Sequence, residues 1–212
     1  MRMRSWIVIM CILGFAPAMA QHPGYKPFAN TDVFRQQFAK SAQATQSIQC
    51  DFVQDKNLSM LSDKIVSKGK FWYKQENKVR MEYEKPSYYL VVINGNMIRT
   101  KDGQKENKVS SKSNKMFEQV TKMMVDCMQG TMMDNKSFTS RLFEGPKNYL
   151  LELTPVVKSL QGIFKTISLV VDKKDYSVDK LEMLEQSGDN TVINFLHKQT
   201  NVNIPDELFS VK

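Results

Sequence analysis

Between Lys78 and Glu84 the apolar residues Val79, Met81 and Tyr83 alternate with Lys78, Arg80, Glu82 and Glu84. A period of two places one set on each face of a β-strand, one face apolar and the other charged. The same kind of pattern predicts strands over 48–56, 65–75, 78–84, 88–94 and 97–101. Lys85-Pro86-Ser87 and Asn94-Gly95-Asn96 punctuate them as turns. Asn-Gly supplies the positive φ values that tight hairpins require, so these strands read as consecutive and antiparallel. A second run is predicted over 138–144, 149–154, 163–172, 178–186 and 191–199, with turns at Gly145-Pro146, Lys173-Lys174-Asp175 and Ser187-Gly188-Asp189. The tail from 204 to 211 reads as a further short strand after Pro205.

Helical periods appear twice. Behind Thr31 or Asp32 as a cap, Phe34, Phe38 and Ala42 recur at four-residue spacing. From Ser113 onward Met116, Val120, Met123, Met124, Cys127 and Met128 form one apolar stripe, with Lys115, Glu118, Gln119, Lys122 and Asp126 outside it, and Gly130 ends the helix. Six of the 14 methionines fall within 116–133. Methionine is flexible and polarizable, and suits surfaces that must adapt to varied apolar ligands. A helix that interrupts a strand-rich chain with Met116, Val120, Met123, Met124 and Met128 underneath is expected to lie over the sheet as a lid on an apolar cavity. The expected cavity residues are Val79, Met81 and Tyr83 with Leu90 and Val92 in the first run, and Leu151, Leu153, Ile167 and Leu169 in the second. Lys108 to Asn114 and Gly130 are the expected bending points of the lid.

The first twenty residues stand apart. Arg2 and Arg4 precede an apolar run from Trp6 to Ala16, Pro17 follows, and Ala18-Met19-Ala20 is a small-residue cleavage signal. This is the layout of a secretory signal peptide, too short in its apolar part to anchor a chain in a bilayer. The expected product starts near Gln21, is exported to the periplasm and carries no lipid, since Cys11 lies inside the apolar run. Residues 21–212 contain no linker rich in Gly and Ser, so they form a single domain, mainly β with helices, its sheet curved into a barrel or half-barrel.

Charge and chemistry narrow the function. With 30 Lys and Arg against 22 Asp and Glu the chain is basic, but the lysines are scattered over strand exteriors and turns. No arginine-rich run or aromatic RNA-binding box is present, so nucleic acid is not an expected partner. An anionic membrane surface or an acidic partner is the useful alternative. The sequence has two histidines and no G-x-S-x-G, C-x-x-C, H-E-x-x-H or glycine-rich phosphate loop, so neither a catalytic site, nor a metal site, nor a cofactor is expected. Past the leader two cysteines remain, Cys50 and Cys127. A disulfide between them and two buried free thiols are both compatible with an oxidising compartment.

Several segments together resemble the LolA-like family of periplasmic outer-membrane lipoprotein carriers. They are Phe52-Val53-Gln54, then Gly69-Lys70-Phe71-Trp72-Tyr73-Lys74, Met81-Glu82-Tyr83-Glu84-Lys85-Pro86 and Ile93-Asn94-Gly95-Asn96. Later come Leu151-Glu152-Leu153-Thr154-Pro155, Ile167-Ser168-Leu169-Val170-Val171 and Ile204-Pro205 with Phe209. The resemblance implies an incomplete, strongly curved antiparallel β-barrel of about ten or eleven strands, with helices covering an apolar cavity. It implies a monomer that takes acylated lipoproteins from an inner-membrane lipoprotein-releasing ABC transporter and passes them to an outer-membrane acceptor, with no chemical step. A lipid- or lipoprotein-sensing regulatory domain of the same fold is the alternative. Family members place an arginine latch for the lid after the Trp-x-Lys strand; Gln75 stands there in this chain.

Overall fold

A computed structural model describes residues 22–61, 63–113 and 115–211, excepting the side chains of Met116 and Phe117. The leader therefore lies outside the described residues. The chain forms β1 (Lys26–Pro27), α1 (Thr31–Ala44), β2 (Ser47–Asn57), β3 (Lys64–Lys74), β4 (Lys78–Lys85), β5 (Tyr89–Asn94), β6 (Met97–Asp102) and β7 (Lys105–Ser110). After a 3-10 turn come α2 (Lys115–Gln129), a second 3-10 turn, β8 (Phe138–Glu144), β9 (Asn148–Pro155), α3 (Lys158–Gln161), β10 (Phe164–Asp172), β11 (Val178–Glu185) and β12 (Asn190–Thr200). No helix among the described residues is long and apolar enough to cross a membrane.

Among the described residues twelve strands make one antiparallel sheet, in the order β1-β8-β9-β10-β11-β12-β2-β3-β4-β5-β6-β7. The sheet is two meanders, β2–β7 and β8–β12, with β1 added beside β8, joined at a seam where β12 pairs with β2, Phe195 opposite Phe52 and Thr200 opposite Ile48. It does not close, since β1 and β7 are its two edges. The link from β7 through α2 to β8 therefore carries the chain from one edge to the strand beside the other and lays the helix across the concave side. Breaks in register at Leu196/Gln199 in β12, Lys68/Gly69 in β3 and Val170/Val171 in β10 add the bends that curve such a sheet. Gly69 is required by packing: a Cβ there would sit 2.0 Å from the Glu82 carbonyl and 2.8 Å from the Phe52 ring.

The concave face holds two apolar clusters. Under α1, Phe34 and Phe38 pack on Leu151, Leu153, Ile167, Leu169 and Val171, with Leu160 of α3 alongside. Under the other half lie Cys50, Phe52, Phe71, Tyr73, Val79, Met81 and Ile93. α2 spans the two: Met123, Val120 and Cys127 contact the first cluster, Met124 and Met128 the second.

The tail does not form the expected strand. Pro205 begins a 3-10 turn over Asp206–Phe209, and the segment straps the convex face instead. Ile204 and Phe209 cover Trp72, Leu90 and Val92. Its carbonyls are taken by side chains rather than by a neighbouring strand: Arg80 donates to Leu208 at 3.0 Å, Asn94 to Phe209 at 3.1 Å and Arg99 to Ser210 at 3.1 Å. β1, β7 and α3 are not among the elements the sequence predicts; β7 carries Lys105, Glu106 and Lys108, the charged kind of residue that exposed edge strands use.

Candidate functional site

α1, α2 and the strands β2, β3, β11 and β12 enclose a hollow in two adjoining parts. The outer part, about 60 Å³, is lined inside by Phe38, Ala42, Ile48, Cys50, Phe71, Cys127, Met128, Val178 and Phe195. The inner part, also about 60 Å³, is walled by Phe71, Val79, Met123, Met124, Cys127, Met128, Leu169, Val178, Leu181 and Phe195. Phe71, Cys127, Met128, Val178 and Phe195 belong to both. The wall of the inner part offers nothing for a charged ligand to bind. Each part is far below the ~300–1,000 Å³ of pockets that hold a bound small molecule, so an acyl chain enters only as the flexible methionines of the roof move aside.

The expected cavity residues separate into three groups. Val79 and Leu169 line the hollow. Met81 and Tyr83 share its face in the β4 half, the Tyr83 hydroxyl donating to Gln54 at 2.9 Å, while burial pushes the phenol up to about 12. Leu151, Leu153 and Ile167 lie beneath α1 with no exposure at all, as packed core rather than open wall. Leu90 and Val92 are on the other side of the sheet. The β4–β5 register sets Leu90 opposite Glu82 and Val92 opposite Arg80, so both point to the convex face, where the tail buries them. The inward residues of β5 are Tyr89, Val91 and Ile93, opposite Tyr83, Met81 and Val79. Phe71 and Phe195, the two rings that divide the hollow, escaped the sequence reading. The alternation of Thr191, Ile193 and Phe195 was the signal available for one of them.

Of the expected lid residues, Met123, Met124 and Met128 face the hollow, and Val120 packs on the α1 cluster. Met116 falls in the first turn of α2, and its side chain lies outside the described residues. The polar side of α2 is fastened. The Asp126 carboxylate, buried, receives Asn135 Nδ2 at 2.6 Å and Lys122 Nζ at 2.8 Å. Ser137 donates to Gln119 at 2.8 Å, and Gln129 donates to Asn77 at 2.9 Å. Gly130 is no loose bend. At φ +71° it brings α2 so close to α1 that a Cβ would meet the Phe38 carbonyl and Ala39 Cα at 2.7 Å.

Cys50 of β2 and Cys127 of α2 are free thiols that line the same part of the hollow. Burial pushes each up to about 12, which leaves almost no nucleophilic thiolate at neutral pH. No group of three or more metal-ligating side chains occurs among the described residues. The arrangement can shelter apolar chains from water.

The family model for outer membrane lipoprotein carrier protein LolA matches residues 43–212. The chain belongs to the LolA family. Among solved structures it is similar to an uncharacterized conserved protein from Thermus thermophilus, at 9% identity over 87% of this chain and 95% of that one, TM-score 0.52. It is also similar to the Pseudomonas aeruginosa MucA/MucB complex, at 14% identity over 87% of this chain and 62% of that one, TM-score 0.52. The lipoprotein LppX of Mycobacterium tuberculosis aligns at 10% identity over 84% and 100% of the two chains, TM-score 0.45. At these identities the likeness to the first two is one of fold. No curated protein matches the sequence.

Within this LolA family chain, Gln75 serves a different helix from the one a latch would hold. Its side-chain amide donates to the carbonyls of Gln43 and Thr45, both at 3.3 Å, and so fixes the C-terminal end of α1. The link from the β3–β4 turn to α2 is Gln129 to Asn77.

Proposed function

We propose that this LolA family chain is a periplasmic carrier of acylated lipoproteins, without catalytic activity. It receives their acyl chains from an inner-membrane ABC transporter, shelters them beneath α2 and delivers them to an acceptor at the outer membrane. The observation that carries this reading is the hollow itself, walled by Phe71, Val79, Leu169 and Phe195 and roofed by three methionines. Each methylene withdrawn from water contributes about 0.8 kcal/mol, so an acyl chain of about fifteen methylenes gains about 12 kcal/mol by entering. Such a chain does not cross an aqueous compartment unaided. A methionine roof adapts to a chain without gripping one shape, which favours release as well as uptake.

Native mass spectrometry of the protein isolated from periplasmic material tests the proposal. Adducts with the mass of a triacylated lipoprotein are expected. Free lipid as the only adduct would favour the sensing role instead, and a bare polypeptide under mild desolvation would refute both.

A further inference from the structure

Exposed large apolar side chains gather at one end of the sheet, the end that bears the β2–β3, β4–β5 and β11–β12 turns. Four belong to one hairpin: Met60 and Leu61 in the β2–β3 link, 94% and 59% exposed, and Ile65 and Val66 at the start of β3. Tyr88, Tyr89 and Val156 stand on neighbouring strand ends. Among the described residues only Val33, Met97 and Leu196 are exposed in this way elsewhere. The hairpin projects. β4 reaches β3 only as far as Lys68, so Lys64 to Ser67 pair with β2 alone; at ~3.3 Å per residue they bring the tip about 13 Å past the last β3–β4 pair. The tip is also braced. The Leu61 N–H donates to the Leu58 carbonyl at 2.9 Å. Ser59 donates to Asp189 of the β11–β12 turn from its N–H at 2.8 Å and from its hydroxyl at 2.9 Å. Met60 and Leu61 are held outward by these bonds.

The apolar residues of the hairpin point in opposite directions. The β2–β3 register is unbroken, so Ile65 shares the face of Phe71, which lines the hollow, and Val66 that of Trp72, on the convex side. A rigid protein surface covers one face of such a hairpin, whereas a fluid apolar layer surrounds both. The charge beside it is cationic. Lys68 and Lys85 lie directly opposite in the β3–β4 ladder, both exposed, a like-charge placement that is unfavourable until an anion joins it. The ion pairs at this end are Lys56 with Glu185, Lys64 with Asp55, and Arg99 and Lys108 with Glu106. Among the described residues they leave Lys68, Lys85, Lys101, Lys105, Lys158 and Lys165 without a carboxylate partner. Asp189 is taken up by Ser59, so the unpaired carboxylates at this end are Asp63, Glu84 and Asp102.

We infer that this end of the sheet docks on a phospholipid bilayer that contains anionic lipid, with Met60 and Leu61 entering the interface and Lys68 and Lys85 facing the headgroup phosphates. Asp63 and Lys64, next to the tip, stay among the headgroups, so the hairpin lies at the membrane boundary and does not cross it. The tyrosines suit the same depth, since a ring with a hydroxyl is at home between acyl chains and water. The apolar tip supplies the anchoring, and the lysines supply the preference for anionic lipid. This contact does not involve the hollow. It goes beyond the carrier reading by stating which end of the protein meets a membrane.

The test is flotation of the protein isolated from periplasmic material with vesicles of phosphatidylcholine, alone or mixed with phosphatidylglycerol. Binding to the mixed vesicles is expected to be about tenfold tighter, a preference that Lys68→Glu combined with Lys85→Glu abolishes. Leu61→Asp should weaken binding to both kinds of vesicle by about tenfold. These side chains are exposed, so the variants fold as the parent does. Position is read by fluorescence against the common background of Trp72. Met60→Trp should shift to the blue on the mixed vesicles and be quenched by brominated acyl chains. Met97→Trp, at the opposite end of the sheet, should do neither. Equal quenching at the two positions, or a Leu61→Asp protein that floats as the parent does, would overturn the inference. Binding to polyglutamate but to neither vesicle would also overturn it, and would give the lysines to an acidic protein instead. In each of these cases lipoprotein adducts in native mass spectrometry leave the carrier reading standing, whereas docking by a protein that never shows adducts refutes the carrier reading alone.

Discussion

Replacing Gly130 by alanine should separate the two helices that roof the hollow. Two costs combine there. The residue sits at φ +71°, and an L side chain in the left-handed region costs about 1–2 kcal/mol. The new methyl would also lie 2.7 Å from the Phe38 carbonyl and Ala39 Cα and 2.9 Å from Ala42 Cβ. The first two of these are backbone atoms that cannot rotate away, so overpacking adds about 1–3 kcal/mol. Gly103 is the control: its φ is +55° and a Cβ there meets nothing within 4 Å, so Gly103→Ala carries the conformational cost without the clash. The loss of unfolded-state freedom is common to both substitutions and cancels in the comparison. Gly130→Ala should therefore be less stable than Gly103→Ala by about 1–3 kcal/mol. In a domain of this size that is a difference of about 2–12 °C in melting temperature. Thermal and urea unfolding followed by circular dichroism measure it. Amide exchange locates it, with the amides of α2 expected to exchange faster in Gly130→Ala and those of β3 and β4 to stay unchanged. Equal melting temperatures for the two variants would mean that α1 and α2 do not meet at Gly130, and that the roof is held by its polar contacts alone.

Three further outcomes follow from the packing. Phe209→Ala should cost about 3–5 kcal/mol, because the ring is fully buried against Trp72, Leu90 and Val92 on the convex face; urea unfolding checks this, and dye binding in the hollow should be unchanged. Leu153→Glu should fail to fold rather than fold with weakened lipid uptake, since it would bury a carboxylate under α1; a well-folded variant by near-ultraviolet circular dichroism would contradict the assignment of Leu153 to the packed core. Both thiol pKa values lie at about 12, so iodoacetamide should label Cys50 and Cys127 slowly at pH 8 and roughly tenfold faster for each unit of pH rise. Gly130→Ala should speed labelling of Cys127, and ordinary thiol reactivity in the parent protein would show that the hollow stands open.

The strand pattern was legible wherever one face of a strand is wet. β4 reads its own orientation, with Val79, Met81 and Tyr83 inward and Arg80 and Glu82 outward. β5 does not. Tyr89, Leu90, Val91, Val92 and Ile93 are apolar without interruption, so periodicity cannot say which side faces the hollow. The reason both sides are apolar is the tail, more than a hundred residues away in sequence. Leu90 and Val92 match Ile204 and Phe209, a pairing that only the fold reveals. The tail was read as a strand for a related reason: its alternating apolar residues do face a sheet, but they lie across it, and Arg80, Asn94 and Arg99 satisfy the backbone that a neighbouring strand would have paired. β7 was invisible because Lys105, Glu106 and Lys108 bury nothing. The methionine stripe of α2 was plain from spacing alone, whereas the division of the hollow by Phe71 and Phe195 depends on the seam between β12 and β2, which local sequence does not encode.

That seam also sets an order of events. Within each meander every strand meets its neighbour across a short link, and such hairpins form quickly. The pairing of β12 with β2 instead joins Asn190 to Asn57 and Thr200 to Ile48, contacts whose chain-closure entropy must be met before they contribute anything. The half-sheets β2–β7 and β8–β12 can assemble as soon as their residues are available, but their union waits for nearly the last strand. Until then Cys50, Phe52, Ile193 and Phe195 lie along two unjoined margins. The interval before union is when this chain is most exposed to mispairing with another copy of itself, so a chaperone that shields those margins should raise the folding yield more than one that shields the edges β1 and β7.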